Sequence, residues 1–173
     1  RFDYQAGIYL LRQEVTSNFR TQFLRDASAF FLSPAIPSVA LNGLETNQIG
    51  EAETTSGAVF GQGTWRFDDR ASITAGLRYT REKREASNTS LSFGGVPLTG
   101  ALAALAPYRA AVAGAPFVVQ GEKESGAFSW LINPSYKLSD NALAYASVSY
   151  GEKSGAANLG ARPGDPIIIQ PEK

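Results

Sequence analysis

Cysteine and histidine are both absent from this sequence of 173 residues. Without cysteine there is no disulfide and no thiolate ligand for a metal. Without histidine the commonest metal ligand is missing, and so is the usual base of a serine or cysteine nucleophile. The sequence therefore offers no catalytic residue, no cofactor-binding residue and no metal-binding residue, and we expect a protein that is not an enzyme and needs no cofactor.

Net charge and long apolar runs are missing as well. Sixteen basic residues balance sixteen acidic residues, so no overall field attracts nucleic acid, and we expect no nucleic-acid partner. No apolar run approaches the about 20 residues of a helix that spans a membrane. If this protein resides in a membrane, it must cross that membrane with strands.

The chain does contain two pairs of strands with alternating side chains, and a short polar turn closes each pair. Successive side chains of a strand point to opposite sides. In the second strand of the first pair, one side carries Ala71, Ile73, Ala75, Leu77 and Tyr79, and the other carries Ser72, Thr74, Gly76, Arg78 and Thr80. The apolar side carries no charge, which is typical of a strand with one face in an apolar environment and the other in water.

Four further segments of the first 150 residues show the same alternation of polar and apolar side chains. Residues 59–67 precede the turn at Asp68-Asp69, with Phe60 as an exception among the polar set. Residues 128–138 and 142–150 form the second pair around a turn at residues 139–141, and residues 2–10 alternate in the same way. We therefore expect about five strands.

The dimensions of these strands fit a bilayer. Residues 71–79 are close to the about nine to eleven residues that a tilted strand needs to cross the hydrocarbon layer. Aromatic side chains of the apolar sides fall at both ends, with Trp65, Phe67 and Tyr136 near the short turns and Tyr79 and Tyr150 near the far ends. This placement predicts the two aromatic girdles of an outer-membrane barrel.

The connections alternate between short and long. Outer-membrane barrels have short periplasmic turns and longer loops outside. We therefore expect the turns at Asp68-Asp69 and at residues 139–141 to be periplasmic, and two long loops, at about residues 16–53 and 82–123, to be extracellular. On the polar sides, we expect the lumen to be lined by Asp3, Gln5, Gln62, Arg66, Arg78 and Tyr145, in contact with water, a plug or a passing ligand.

The second long loop contains an alanine-rich stretch over residues 99–112. The stretch predicts a short helix that Thr99 caps and that Pro107 breaks or kinks. Leu102, Leu105 and Val112 would share one face of this helix. We expect that face to dock on the loop or on the barrel rim.

The pattern predicts an all-β fold, an antiparallel transmembrane β-barrel segment with two long extracellular loops, one of which carries a short helix. Five strands cannot close a barrel of eight or more, so residues 1–173 are expected to be a fragment of one barrel domain. A passive or specific porin would share this wall. A soluble ligand-binding β-barrel would instead turn the apolar sides inward, which the girdles and the loops of some forty residues do not favour.

Several stretches of the sequence resemble a known family. Residues 56–67, SGAVFGQGTWRF, followed by residues 73–83, ITAGLRYTREK, closely resemble the barrel region of TonB-dependent outer-membrane receptors. Residues 133–141 and 144–151, with Lys153-Ser154-Gly155, resemble a second pair of strands of that family, and Pro171-Glu172-Lys173 resembles the lead-in to the next strand. The resemblance departs at Glu152 and at residues 156–159, where the family often has an aromatic residue and a Gly-Gly-Phe-Asn run.

This resemblance implies a barrel of about 22 strands that an N-terminal plug occludes. A TonB box would couple the plug to the TonB, ExbB and ExbD complex, and the receptor would take up a ferric siderophore or a similarly bulky nutrient across the outer membrane of a Gram-negative bacterium. Plug and TonB box are not in this stretch, and outer-membrane lipid would surround its strands. The family holds its ligand residues in no fixed motif, so no ligand-binding residue is assigned.

Overall fold

Long antiparallel strands make up most of the structure, a computed structural model that describes residues 1–170. The four long strands are β1 (Phe2–Gln22), β2 (Leu44–Arg66), β3 (Ala71–Gly94) and β4 (Phe117–Ser139). They lie side by side in chain order, and the next two short strands, β5 (Ala142–Tyr145) and β6 (Val148–Tyr150), both pair with β4. The predicted all-β antiparallel fold is confirmed.

The connections carry the smaller elements. Between β1 and β2 lie helix α1 (Ala27–Phe31) and a 3₁₀ turn (Ser38–Ala40), and between β3 and β4 a 3₁₀ turn (Gly100–Leu105) leads into α2 (Ala106–Ala113). After β6, β7 (Ala156–Ala157) pairs with β8 (Ile168–Ile169). Of the helices in residues 1–170, none has the length and hydropathy that crossing a membrane requires. The lead-in expected at Pro171-Glu172-Lys173 lies outside the described residues.

An unbroken register runs through the four long strands. Residues oppose each other one to one from Phe2 and Trp65 to Gln22 and Glu45 in the first pair, and the next two pairs are equally regular. Because the side-chain period is two, this register keeps each side of the sheet continuous. We call one side the polar face, which carries Gln5, Gln62, Thr74, Arg78 and Ser129, and the other the apolar face, which carries Ile8, Val59, Ala75, Leu77 and Phe128.

The aromatic residues expected at the girdles follow this division. Trp65, Tyr79, Tyr136 and Tyr150 all lie on the apolar face by register, and all are exposed. Phe67, just beyond β2, stacks on Trp65 with ring centroids 5.3 Å apart. The apolar face thus has aromatic side chains near the short turns, in the rows of Ala71 and Ile73, and again in the rows of Leu77 and Tyr79.

The strands are much longer than the sequence predicted. β1 continues to Gln22 and β3 to Gly94, so the connecting segments are residues 23–43 and 95–116 rather than 16–53 and 82–123. In the added part charged side chains appear on both faces, which interrupts the alternation of hydrophobicity while the backbone ladder continues. Ion pairs join neighbouring strands there, including Arg12 Nε with Glu53 at 3.0 Å. The predicted boundaries of the two long loops were therefore wrong.

A row of four glutamates crosses the sheet in this added part. Glu14, Glu53, Glu85 and Glu122 stand directly opposite one another on the side of the apolar face. Like charges in such positions destabilise a sheet. Arg12 offsets the repulsion from one side, and Lys83 contacts both Glu85 and Glu122. Its hydrogen bond with Glu85 raises the pKa of Lys83.

The turn between β2 and β3 is built on one carboxylate. Asp68 Oδ1 accepts hydrogen bonds from the backbone N–H groups of Arg70, at 2.7 Å, and Ala71, at 2.6 Å. An aspartate that bonds the backbone two and three residues on is a standard way to close a tight turn. The predicted turn at Asp68-Asp69 is confirmed.

Asp68→Asn is expected to remove a pH-dependent part of the free energy of unfolding. The backbone hydrogen bonds from Ala71 and Arg70 hold the pKa of Asp68 below its usual value. The carboxylate therefore stabilises the fold above its ordinary pKa, and this contribution is lost as the pH falls through the lowered value. Urea unfolding at neutral and at strongly acidic pH measures this, with Asp69→Asn as the control. A wild-type advantage that persists at acidic pH would contradict the role of Asp68.

The strand after the second turn is interrupted. A continuous strand over residues 142–150 was expected, but residues 146–147 lie outside β5 and β6. Ala146 N–H donates to the Pro134 carbonyl at 3.1 Å, and proline has no N–H with which to return the bond. The pairing of Pro134 with Ile73 on its other side is kept.

The alanine-rich stretch is helical, but it is divided into a 3₁₀ turn and the helix α2, whereas the sequence predicted one short helix broken or kinked at Pro107. Pro107 lies in the first turn of α2, where its missing N–H costs nothing, so it starts a helix rather than breaking one. Thr99 precedes the 3₁₀ turn, but its side chain makes no capping hydrogen bond. Leu102, Leu105 and Val112 are all half-buried, as expected for a shared face.

Candidate functional site

The candidate site is the polar face of the sheet. The six residues predicted to line a lumen share this face through the strand register: Asp3, Gln5, Gln62, Arg66, Arg78 and Tyr145. Three features follow one another along it from the short turns to the loops: a depression, a folded-over segment and a cap of packed loops. In residues 1–170 no cluster of acidic side chains has the arrangement that a metal ion needs.

The depression lies between the turns and the ion-paired part of the strands and has a volume of about 270 Å³. The side chains that line it from the polar face include Gln5, Phe60, Gln62, Arg78, Ser129 and Leu131. The tip of the ring of Phe60, the exception in the alternation, lies over Gly7, where a Cβ atom would stand 2.7 Å from Cζ of that ring. Gln62 lies over Gly76 in the same way, with its Cγ 3.6 Å from that position. Two glycines thus allow large side chains to lie along the sheet.

Arg78 is the charged group of this depression, and two neighbours fix its position. Its Nε donates to Thr80 Oγ1 at 3.0 Å. Its guanidinium carbon lies 5.2 Å from the centroid of the Tyr9 ring, which is a cation–π contact. The guanidinium is therefore held against the sheet and half-buried.

Residues 151–170, which we call the strap, fold back over the polar face beyond the depression. Ala161 and Ile167 are buried against Ala86 of β3. The buried Asn88 donates from Nδ2 to the Ala161 carbonyl at 2.7 Å, and Ser154 donates to the Glu82 carboxylate at 3.2 Å. Apolar packing and hydrogen bonds together hold the strap in place.

The sheet provides a seat for the strap made of small residues. A Cβ atom on Gly50 would stand 2.7 Å from the Leu159 carbonyl oxygen, and one on Gly121 would stand 2.7 Å from Ile167 Cγ2. Ala52 and Ala86 form one row with Gly121, and Gly50 lies opposite Asn88 in the next row on the same face. Sequence reasoning missed this contact, although the small residues on one face of three adjacent strands were a signal for it.

A cap of two packed loops closes the far end of the same face. Phe23, Leu41 and Leu44 form a buried cluster, and Val112 of α2 packs against it. Arg109 donates from Nε to the Ala40 carbonyl at 2.8 Å and from Nη2 to the Val39 carbonyl at 3.2 Å. The predicted docking of the α2 stretch is thus onto the loop between β1 and β2.

The tip of this cap exposes aromatic side chains. Phe30 is 82% exposed and Phe31 55% exposed, and their rings meet edge to face with centroids 4.9 Å apart. Leu24 in the same connection is 67% exposed. The tip is thus an apolar surface on a packed support.

Arg109→Ala is expected to loosen the cap without unfolding the sheet. The substitution removes two hydrogen bonds that a charged group donates. Such bonds contribute about 1.5 to 3 kcal/mol each when they are buried, and they contribute less here because the Arg109 side chain is half-exposed. Hydrogen exchange should accelerate in residues 38–41 and 100–113 and stay unchanged in β2 and β3. Arg25→Ala, in the loop between β1 and β2, is the control, and equal exchange in the two variants would contradict the role of Arg109.

Known proteins share this architecture. The family model described as TonB dependent receptor-like, beta-barrel matches residues 1–173. The crystal structure of the ferric yersiniabactin uptake receptor FyuA from Yersinia pestis matches 98% of the chain with a TM-score of 0.61 and 20% identity. The chain spans 21% of that receptor, so it corresponds to about a fifth of its length. No curated protein sequence matches. The chain belongs to the β-barrel family of TonB-dependent receptors.

Proposed function

We propose that residues 1–173 are part of the barrel domain of an outer-membrane receptor of a Gram-negative bacterium. The receptor takes up a ferric siderophore or a similarly bulky nutrient, with energy from the TonB, ExbB and ExbD complex. The observation that carries the proposal is the uncharged apolar face, which crosses four strands in register between two sets of aromatic residues.

The position of the packed segments supports this orientation. Both buried clusters, around Leu44 and around Ala86, lie on the polar face. Val59 and Leu77 on the apolar face are each 57% exposed. A soluble ligand-binding barrel would pack its apolar face inward, whereas here the chain packs its own segments on the polar face. The apolar face is then free to contact outer-membrane lipid.

This orientation assigns a different role to each part of the structure. The polar face lines the interior, where the plug of the receptor would contact the depression around Arg78. The cap and the strap stand on the extracellular side, where they meet the solute. FyuA is by its title an uptake receptor for ferric yersiniabactin, which makes a siderophore the first class of solute to test.

Deletion of the gene in its host under iron limitation tests the function. Accumulation of radioactive iron from a panel of ferric siderophores, ferric yersiniabactin among them, should fall in the deletion strain. It should fall equally in a strain that lacks TonB, and the intact gene should restore it. Uptake that depends on the gene and persists without TonB would indicate a passive or specific porin. Accumulation that does not depend on the gene would contradict iron uptake.

A further inference from the structure

Arg78 differs from the other strand arginines in having no acidic partner. The others each form an ion pair: Arg12 with Glu14 and Glu53, Arg20 with Glu45, Arg66 with Asp3, Arg81 with Glu124, and Arg84 with Glu82. Among residues 1–170, no carboxylate oxygen lies within 4.0 Å of the Arg78 guanidinium. It is therefore an uncompensated charge on a face where the neighbouring charges are compensated.

The surroundings of Arg78 leave its outer edge available. Within the described residues its only side-chain hydrogen bond uses Nε, toward Thr80, and Tyr9 covers one face of the guanidinium. The two terminal nitrogens therefore remain for a ligand. Two terminal N–H groups of a planar guanidinium match the two oxygens of a carboxylate.

The walls of the depression favour such a ligand. Phe60 and Leu131 provide apolar walls, beside which electrostatic attraction is stronger than in open water. Gln62 and Ser129 line the same depression and can donate further hydrogen bonds. The half-buried guanidinium of Arg78 has lost part of its hydrating water, and the contacts with Thr80 and Tyr9 replace that water only in part.

We propose that Arg78, with Gln62 and Ser129, binds a carboxylate that comes from outside residues 1–170. The proposal rests on the proposed function, in which this face lines the barrel interior. Two sources can supply the carboxylate: an acidic side chain of the polypeptide that fills the barrel, or a carboxylate of a passing solute. Both would form the same paired hydrogen bonds with the guanidinium.

Arginine labelling of the full-length receptor in detergent tests this site. Phenylglyoxal modifies accessible guanidinium groups, and peptide mass spectrometry reports the rate at each arginine, with citrate added as the carboxylate probe. Arg81 is the internal control, because it lies on the opposite face of the same strand and pairs with Glu124 at 2.9 Å. Urea unfolding of Arg78→Gln, Arg78→Lys and Arg81→Gln completes the experiment.

Each source predicts a different result. If the carboxylate belongs to the polypeptide, Arg78 is unlabelled without citrate, and Arg78→Gln unfolds at lower urea than Arg78→Lys, with Arg81→Gln close to wild type. If a solute supplies it, Arg78 is labelled without citrate, and citrate at about ten times its dissociation constant slows its labelling by about tenfold, while Arg81 is unaffected.

Two results overturn the proposal. One is labelling of Arg78 at the same rate with and without citrate. The other is a protected Arg78 whose Gln and Lys variants unfold together, because burial alone would then explain the protection. Neither readout uses transport, so a failure of TonB-dependent iron accumulation would refute the proposed function separately.

Discussion

Ala75→Arg is expected to cost about 2 to 4 kcal/mol in the free energy of folding into a bilayer, the cost of an arginine on the lipid side of a barrel near the midplane. Ala75 is exposed on the apolar face, in a row between Gly63 and Ile132 and roughly midway between the two sets of aromatic residues. An arginine there has no charged neighbour in its row and reaches the aqueous boundary only by bending along the sheet. Urea titration of the receptor folded into lipid vesicles measures the loss.

Thr74→Arg is the matched control, one residue away on the polar face. Thr74 Oγ1 lies 2.8 Å from Thr64 Oγ1, so this substitution loses one hydrogen bond, about 1 kcal/mol. Its guanidinium would face the wet interior and pay little for burial. Equal losses for the two variants, or a larger loss for Thr74→Arg, would contradict the assignment of the two faces.

Gly50→Val is expected to displace the strap. The first side-chain atom would stand 2.7 Å from the Leu159 carbonyl oxygen and 2.8 Å from Leu159 Cβ, closer than real contacts allow. Overpacking of this kind costs about 1 to 3 kcal/mol, and undocking the strap relieves it at the expense of the Ala161 and Ile167 contacts. Hydrogen exchange of residues 155–169 should therefore accelerate strongly in the folded receptor.

The same substitution at Gly57 provides the comparison. Gly57 lies in the same strand on the apolar face, where a Cβ atom would meet only Leu10 Cδ2 at an ordinary 3.5 Å. Gly57→Val should leave the exchange of the strap unchanged, since any general weakening of β2 would affect both variants. Equal acceleration in both variants would mean that Gly50 has no special part in the seat.

Sequence reasoning predicted the faces and the turns well for a physical reason. A strand with an apolar environment on one side and water on the other must alternate apolar and polar side chains. A tight turn needs a residue such as Asp68, whose side chain accepts hydrogen bonds from the backbone of the turn. The same reasoning failed above the apolar part, where charged side chains on both faces interrupt the alternation. Backbone pairing continues there through Arg20 and Glu45, and no local pattern marked where the strands end.

The candidate site was predictable only in part. Parity placed Arg78 on the polar face, but the finding that it has no acidic partner needed the register of four strands. The strap was not predicted, because its contacts join residues such as Asn88 and Ala161 that are far apart in sequence. The break after β5 required knowing that Ala146 faces Pro134, which a sequence read strand by strand does not contain.

The length of the strands has a consequence for how a solute first meets the receptor. Beyond Leu10, β1 continues for about 40 Å at about 3.4 Å per residue, which a tilt of about 45° converts to a height of about 30 Å. The aromatic tip at Phe30 and Phe31 is thus carried on a stalk of hydrogen-bonded backbone. Under the proposed function, a solute that arrives from the medium would dock on a framework that is already ordered, so little conformational entropy would be left to lose and more of the contact energy would become affinity.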